Sequence, residues 1–134
     1  MRRHIAALLG LFLAAGVAIP AHAQQNDINV IVGRFDALYN SGNYPAAQAQ
    51  ALKLEALVRA RVGTEHALYA IALSGLAQTY DAQGKYPEAE ATYRRALAVT
   101  EKTLGHGHTN TAAALNRLAG VLQLWLTLDA RHSH

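Results

Sequence analysis

Laid against itself at an offset of 42 residues, the sequence stays in phase over most of its length, and this constrains the fold more than any other feature. Gly42, Tyr44, Pro45, Ala47 and Ala49 recur as Gly84, Tyr86, Pro87, Ala89 and Ala91. Gly63 and His66 recur as Gly105 and His108, while Ala70, Ala72, Leu73, Leu76 and Ala77 recur as Ala112, Ala114, Leu115, Leu118 and Ala119. Gly and Pro coincide at turn positions and apolar residues coincide at helical spacing, which chance similarity of alanine-rich segments does not produce.

Each repeat reads as a pair of helices. Leu73, Leu76, Ala77 and Tyr80 stand at i, i+3, i+4 and i+7, one face of a first helix. Gln83-Gly84-Lys85 breaks it, and Pro87 sits where a second helix begins, a position that needs no N–H. Ala89, Tyr93, Ala96 and Leu97 give that second helix its own apolar face, and Gly105 stops it. The first unit predicts helices near 26–40 and 45–61, and a third unit begins at about Thr109. Ala77 and Ala89 lack bulk and let the two helices approach, with Tyr80, Tyr86 and Tyr93 filling the space around them. One such pair cannot bury its apolar face alone, so stability must come from stacking on its neighbours.

Composition removes the alternatives. With 51% hydrophobic and 16% charged residues and no cysteine, the chain is neither a disordered tail nor a disulfide scaffold. Its N-terminal segment has the arrangement of an export signal: Met1-Arg2-Arg3-His4, an uncharged apolar run over residues 5–19, Pro20, then Ala21-His22-Ala23. Cleavage after Ala23 is expected, which makes residues 1–23 a signal peptide and places the mature chain in the periplasm or outside the cell. The run is short of the roughly 20 residues that span a bilayer. Removing Arg2 and Arg3 changes 12 basic and 9 acidic residues to 10 and 9, too small an excess to argue for nucleic acid or anionic lipid.

The pattern Leu73-x2-Leu76-Ala77-x2-Tyr80, then Gly84-x-Tyr86 and Ala89-x3-Tyr93-x2-Ala96, resembles the tetratricopeptide repeat. The 42-residue period resembles the kinesin light chain variety, as do Gln83-Gly84-Lys85-Tyr86-Pro87-Glu88-Ala89-Glu90 and the loop Glu101-Lys102-Thr103-Leu104-Gly105 with His108. The resemblance covers about residues 28 to 125 and implies an all-α antiparallel helix-hairpin solenoid of about two and a half repeats. The units span about 26–66, 67–108 and a truncated 109–128 within a domain 24–128, with a frayed tail at 129–134. The first unit departs from the second, carrying Phe35 where Ala77 stands and Ala51 where Tyr93 stands. The third keeps Leu115-Asn116-Arg117-Leu118-Ala119 but has Leu126 where the turn glycine belongs.

Function follows from surfaces, because catalytic constellations are missing. There is no cysteine, no G-x-S-x-G, no phosphate-cradling glycine loop and no His-Glu-x-x-His, and the carboxylates are dispersed singly along helices as on solvated faces. Glu90 and Arg94 read as an exposed i, i+4 pair. His106-x-His108 and His132-x-His134 could in principle bring four imidazoles to a metal, but His108 is better explained as a loop residue at a helix start. No enzyme activity, metal or cofactor is expected.

Stacked hairpins form a concave surface lined by the first helix of each unit. Its candidate residues are Asp36 and Tyr39, then Ser74, Gln78 and Asp81, then Asn116, Arg117 and Gln123. The resemblance ranks Asn116 first, since it matches an asparagine that the family uses to hydrogen-bond an extended ligand; Arg117 beside it could take a carboxylate. The expected function is protein–protein contact with a peptide or helical segment. The residues 118–128 are apolar nearly all round, which is unusual for the last helix of a solenoid. Three readings are open: Leu124, Trp125 and Leu128 pack against a partner or another protomer, as in a self-associating subunit such as a homodimer; the helix folds back on the second unit as an imperfect cap; or the chain is a shortened relative of a longer protein.

Overall fold

The computed structural model describes residues 21–132, with side chains from residue 27 onward. The basic start and apolar run of the expected signal peptide lie outside the described residues, as do Ser133 and His134 of the expected tail.

Five helices follow one another, and no strand occurs among the described residues: α1 (Ala21–Asn40), α2 (Tyr44–Val62), α3 (Ala67–Ala82), α4 (Tyr86–Leu104) and α5 (Thr109–His132). Each packs mainly on its neighbours in sequence, α1 on α2, α2 on α3, α3 on α4 and α4 on α5. The result is two complete helical hairpins and the first helix of a third, a helix-hairpin solenoid.

The turns repeat as closely as the helices. Gly42 and Gly84 have φ of 80° and 74°, and Gly63 and Gly105 have φ of 82° and 86°. This left-handed backbone is what glycine supplies without a Cβ clash, so all four turns use one solution at the 42-residue period. Pro45 and Pro87 then occupy the first turns of α2 and α4. His66 caps α3, its Nδ1 accepting the backbone N–H of Leu68 at 3.1 Å, and His108 does the same for α5 with Asn110 at 3.1 Å. The recurring histidine is therefore a helix start.

Two apolar clusters join the hairpins. Val58 of α2, Tyr69, Ala72 and Leu73 of α3 and Ala96 of α4 form one. Ala77 of α3, Ala89 and Tyr93 of α4 and Leu118 and Val121 of α5 form the other, flanked by Tyr80, Tyr86, Leu97 and Leu122. Ala77 and Ala89 are both fully buried, as expected of small residues at a close helix contact. A fully buried leucine such as Leu73 contributes about 1.5–3 kcal/mol over its exposed state.

Glu55 departs from the expectation that carboxylates here stand on solvated faces. It is buried beside the first cluster, where it accepts the Tyr69 hydroxyl proton at 2.7 Å and pairs with Arg59 at 3.3 Å. Arg95 of α4 in turn donates to the Tyr69 oxygen at 2.6 Å, so the network ties α2, α3 and α4 together. Glu90 and Arg94 do form the exposed pair, at 2.8 Å.

The C-terminal helix differs from expectation in two ways. It continues through His132, where a frayed tail was expected from residue 129, because nothing in Leu126 to Arg131 breaks a helix. And Leu124, Trp125 and Leu128 do not share one surface: Trp125 and Leu128 are half-buried, continuing the stripe Ala114, Leu118 and Val121 that packs on α4, whereas Leu124 is exposed.

Candidate functional site

A cavity of about 440 Å³ opens between the first helices of the three units. Helical spacing brings its walls together: Val32, Phe35 and Asp36 from α1, Ile71, Ser74, Gly75 and Gln78 from α3, and Asn110, Ala113 and Arg117 from α5. Leu54 of α2 and Thr100 and Leu104 of α4 close its base. Phe35 faces Gly75, where an added Cβ would stand 3.7 Å from the ring, an ordinary van der Waals contact. The larger residue in the first unit is thus met by a glycine in the second.

The lining combines apolar and polar side chains. Ile71 is 59% exposed and Val32 36%, so large apolar side chains face open space inside the groove. Ser74, Gln78 and Asn110 bring hydrogen-bonding groups, while Asp36 and Arg117 put opposite charges on the two outer helices.

Tyr39, Asp81, Tyr93 and Arg117 form a second group whose charges act on one another. Burial pushes the Tyr39 phenol up, with Tyr44 and Asp81 adding to the shift and Arg117 opposing it. Tyr93 is pushed up to about 12, chiefly by burial, and the Asp81 carboxyl is raised by burial as well. Tyr39 also stacks on Phe35 at 5.7 Å and meets Tyr44 edge-on at 5.1 Å, an aromatic run from α1 into α2. At neutral pH these phenols are uncharged donors beside a cation and a carboxylate.

Of the eight residues expected in the groove, Asp36, Ser74, Gln78 and Arg117 line the cavity. Tyr39 and Asp81 belong to the adjoining charged group. Asn116 and Gln123 are exposed and do not line it. The reason is positional: Asn116 stands where Ser74 stands in the second unit, but Ser74 lies between α1 and α5, and no described helix follows α5. Ile71, Val32 and Asn110 are among the lining residues that sequence reasoning missed. Ile71 is the third residue from Leu68 and the fourth before Gly75, off the stripe that faces α4, and that off-stripe position in an apolar helix was the available signal.

Among the described residues the paired histidines do not assemble. His106 and His108 precede α5 and His132 ends it, 24 helical residues or about 36 Å away. Among the described residues no three His, Cys, Asp or Glu side chains gather as metal ligands would, and no helix is long and apolar enough to cross a membrane.

The family model described as tetratricopeptide repeat matches residues 36–102 and, overlapping it, 82–126. The chain belongs to the tetratricopeptide repeat family. Repeats of this family generally mediate protein–protein interaction, and stacked helical hairpins are their architecture. No curated protein matches the chain.

Proposed function

We propose that this tetratricopeptide repeat protein is an exported, non-catalytic interaction module that holds a peptide or helical segment of a partner protein in the groove between α1, α3 and α5. The observation that carries this reading is the pair of exposed apolar side chains Ile71 and Val32 lining the groove beside polar groups from three separate helices. Such a pair takes a large apolar side chain, and Ser74, Gln78 and Asn110 take the partner's backbone groups. Arg117 suits an acidic residue on the α5 side and Asp36 a basic one on the α1 side, which gives the bound segment a direction. Export is supported by the basic start, apolar run and Ala21-His22-Ala23 of the sequence.

The test is co-purification of the partner from the producing cells with the chain carrying Ile71→Asp, and separately Leu52→Asp, an exposed leucine outside the groove. Loss of the partner with Ile71→Asp alone supports the groove. Retention with Ile71→Asp and loss with Leu52→Asp places binding elsewhere.

A further inference from the structure

Leu115, Ala119 and Leu122 of α5 are the repeat counterparts of Leu73, Ala77 and Tyr80 of α3. In the second unit that face accepts α4, and Leu73 and Ala77 are both 0% exposed. In α5 the same face is open: Leu115 is 46% exposed, Leu126 farther along it is 68% exposed, and Ala119 is exposed as well. The α5 helix thus carries a helix-accepting face whose counterpart is already an established interface within the chain, with no described helix upon Leu115, Ala119 and Leu126 and with Leu122 half-buried at its edge against the α3–α4–α5 cluster.

We propose that this face takes the α5 helix of a second copy of the chain, the two helices running antiparallel about a two-fold axis beside Leu122 and Gln123. Three observations select that occupant. First, Leu115, Ala119, Leu122, Leu126 and Ala130 form the stripe at spacings of four, three, four and four, and none is ionisable, so pairing like with like brings no buried charge. Second, the order of large and small residues is self-complementary. With the axis beside Leu122, Leu115 lies opposite the second copy's Ala130, and Ala119 lies opposite the second copy's Leu126. Each leucine meets an alanine, the large-against-small device that Ala77 and Ala89 use inside the chain. A parallel pairing would set Leu126 on Leu126 and Ala119 on Ala119, leaving an overpacked layer and a void.

Third, the area fits a modest two-fold contact. The sixteen residues of helix from Leu115 to Ala130 span about 22 Å, one helix wide, and so bury well below the roughly 800 Å² per partner of a standard interface. The dimer is accordingly weak and concentration-dependent. It leaves the groove accessible, because Asn110, Ala113 and Arg117 lie on another side of α5.

The experiment is sedimentation equilibrium on the full chain as recovered from its producing cells, up to about 1 mM, with the covalent mass read by mass spectrometry. A ratio of solution to covalent mass that rises from one to two is expected. Leu126→Glu should weaken pairing at least tenfold, with helicity by circular dichroism unchanged, while Leu124→Glu, off the stripe, should leave it intact. The chain has no cysteine, which permits a geometric check. Ala119→Cys mixed with Leu126→Cys should give a mixed disulfide dimer under mild oxidation, and either variant alone should give several-fold less. A ratio of one throughout overturns the proposal, as does a dimer insensitive to Leu126→Glu or one in which each cysteine variant cross-links best to itself.

Discussion

The second unit and the half-unit after it share a motif but not a fate. Leu73-x2-Leu76-Ala77 and Leu115-x2-Leu118-Ala119 are the same pattern 42 residues apart, yet Leu73 is fully buried and Leu115 is half exposed. Leu76 and Leu118, by contrast, are both buried, and Leu118 packs on Ala77, Ala89 and Tyr93 of the preceding hairpin. A repeat motif therefore specifies two faces, one covered by what comes before and one by what comes after. In α5 only the first is covered.

That contrast can be broken by substitution, and the largest effect belongs to the leucines. Leu73→Ala should destabilise the fold by about 2–5 kcal/mol, as for other buried leucine truncations, whereas Leu115→Ala should cost well under 1 kcal/mol at low protein concentration; urea unfolding of both chains measures the difference. Ala77→Leu comes next, with an overpacking cost of about 1–3 kcal/mol by the same measurement, against near neutrality for Ala119→Leu. Equal losses at the paired positions would mean that α5 is covered on both faces.

The alkaline limb of stability follows from Tyr93. Its phenol is pushed up to about 12 in the fold, above the usual value of 10.0, so the unfolded chain loses that proton first. Stability from this group is complete below pH 10 and declines as pH rises toward 12, and Tyr93→Phe should flatten that decline in a pH series of thermal melts. Smaller still are the caps. His66→Ala and His108→Ala should each cost about 1 kcal/mol, with hydrogen exchange accelerated in the first turn of α3 or of α5 and nowhere else.

Turn glycines, helix starts and the Ala77–Ala89 contact were legible because they depend on residues close in sequence and on the repeat register. Four of the groove residues, Asp36, Ser74, Gln78 and Arg117, were legible for the same reason. Asn116 was not, since whether its position lines a groove depends on a helix beyond it. Composition allows Leu124, Trp125 and Leu128 to form one surface; helical register divides them, with Trp125 and Leu128 half-buried and Leu124 exposed. Glu55 was read as solvated, yet Ala51, Glu55 and Val58 stand at i, i+4 and i+7, all buried, and that stripe marked the carboxylate as interior. Its partners Tyr69 and Arg95 come from other helices, which no local pattern reveals.

The most direct test of the account is site-specific photo-cross-linking in the producing cells. A photoreactive phenylalanine derivative is placed at Ile71 inside the groove and, in a separate chain, at Leu52 outside it. The account predicts a discrete protein adduct from position 71 that Arg117→Glu weakens, and none from position 52. An adduct from position 52 with none from 71 would contradict it.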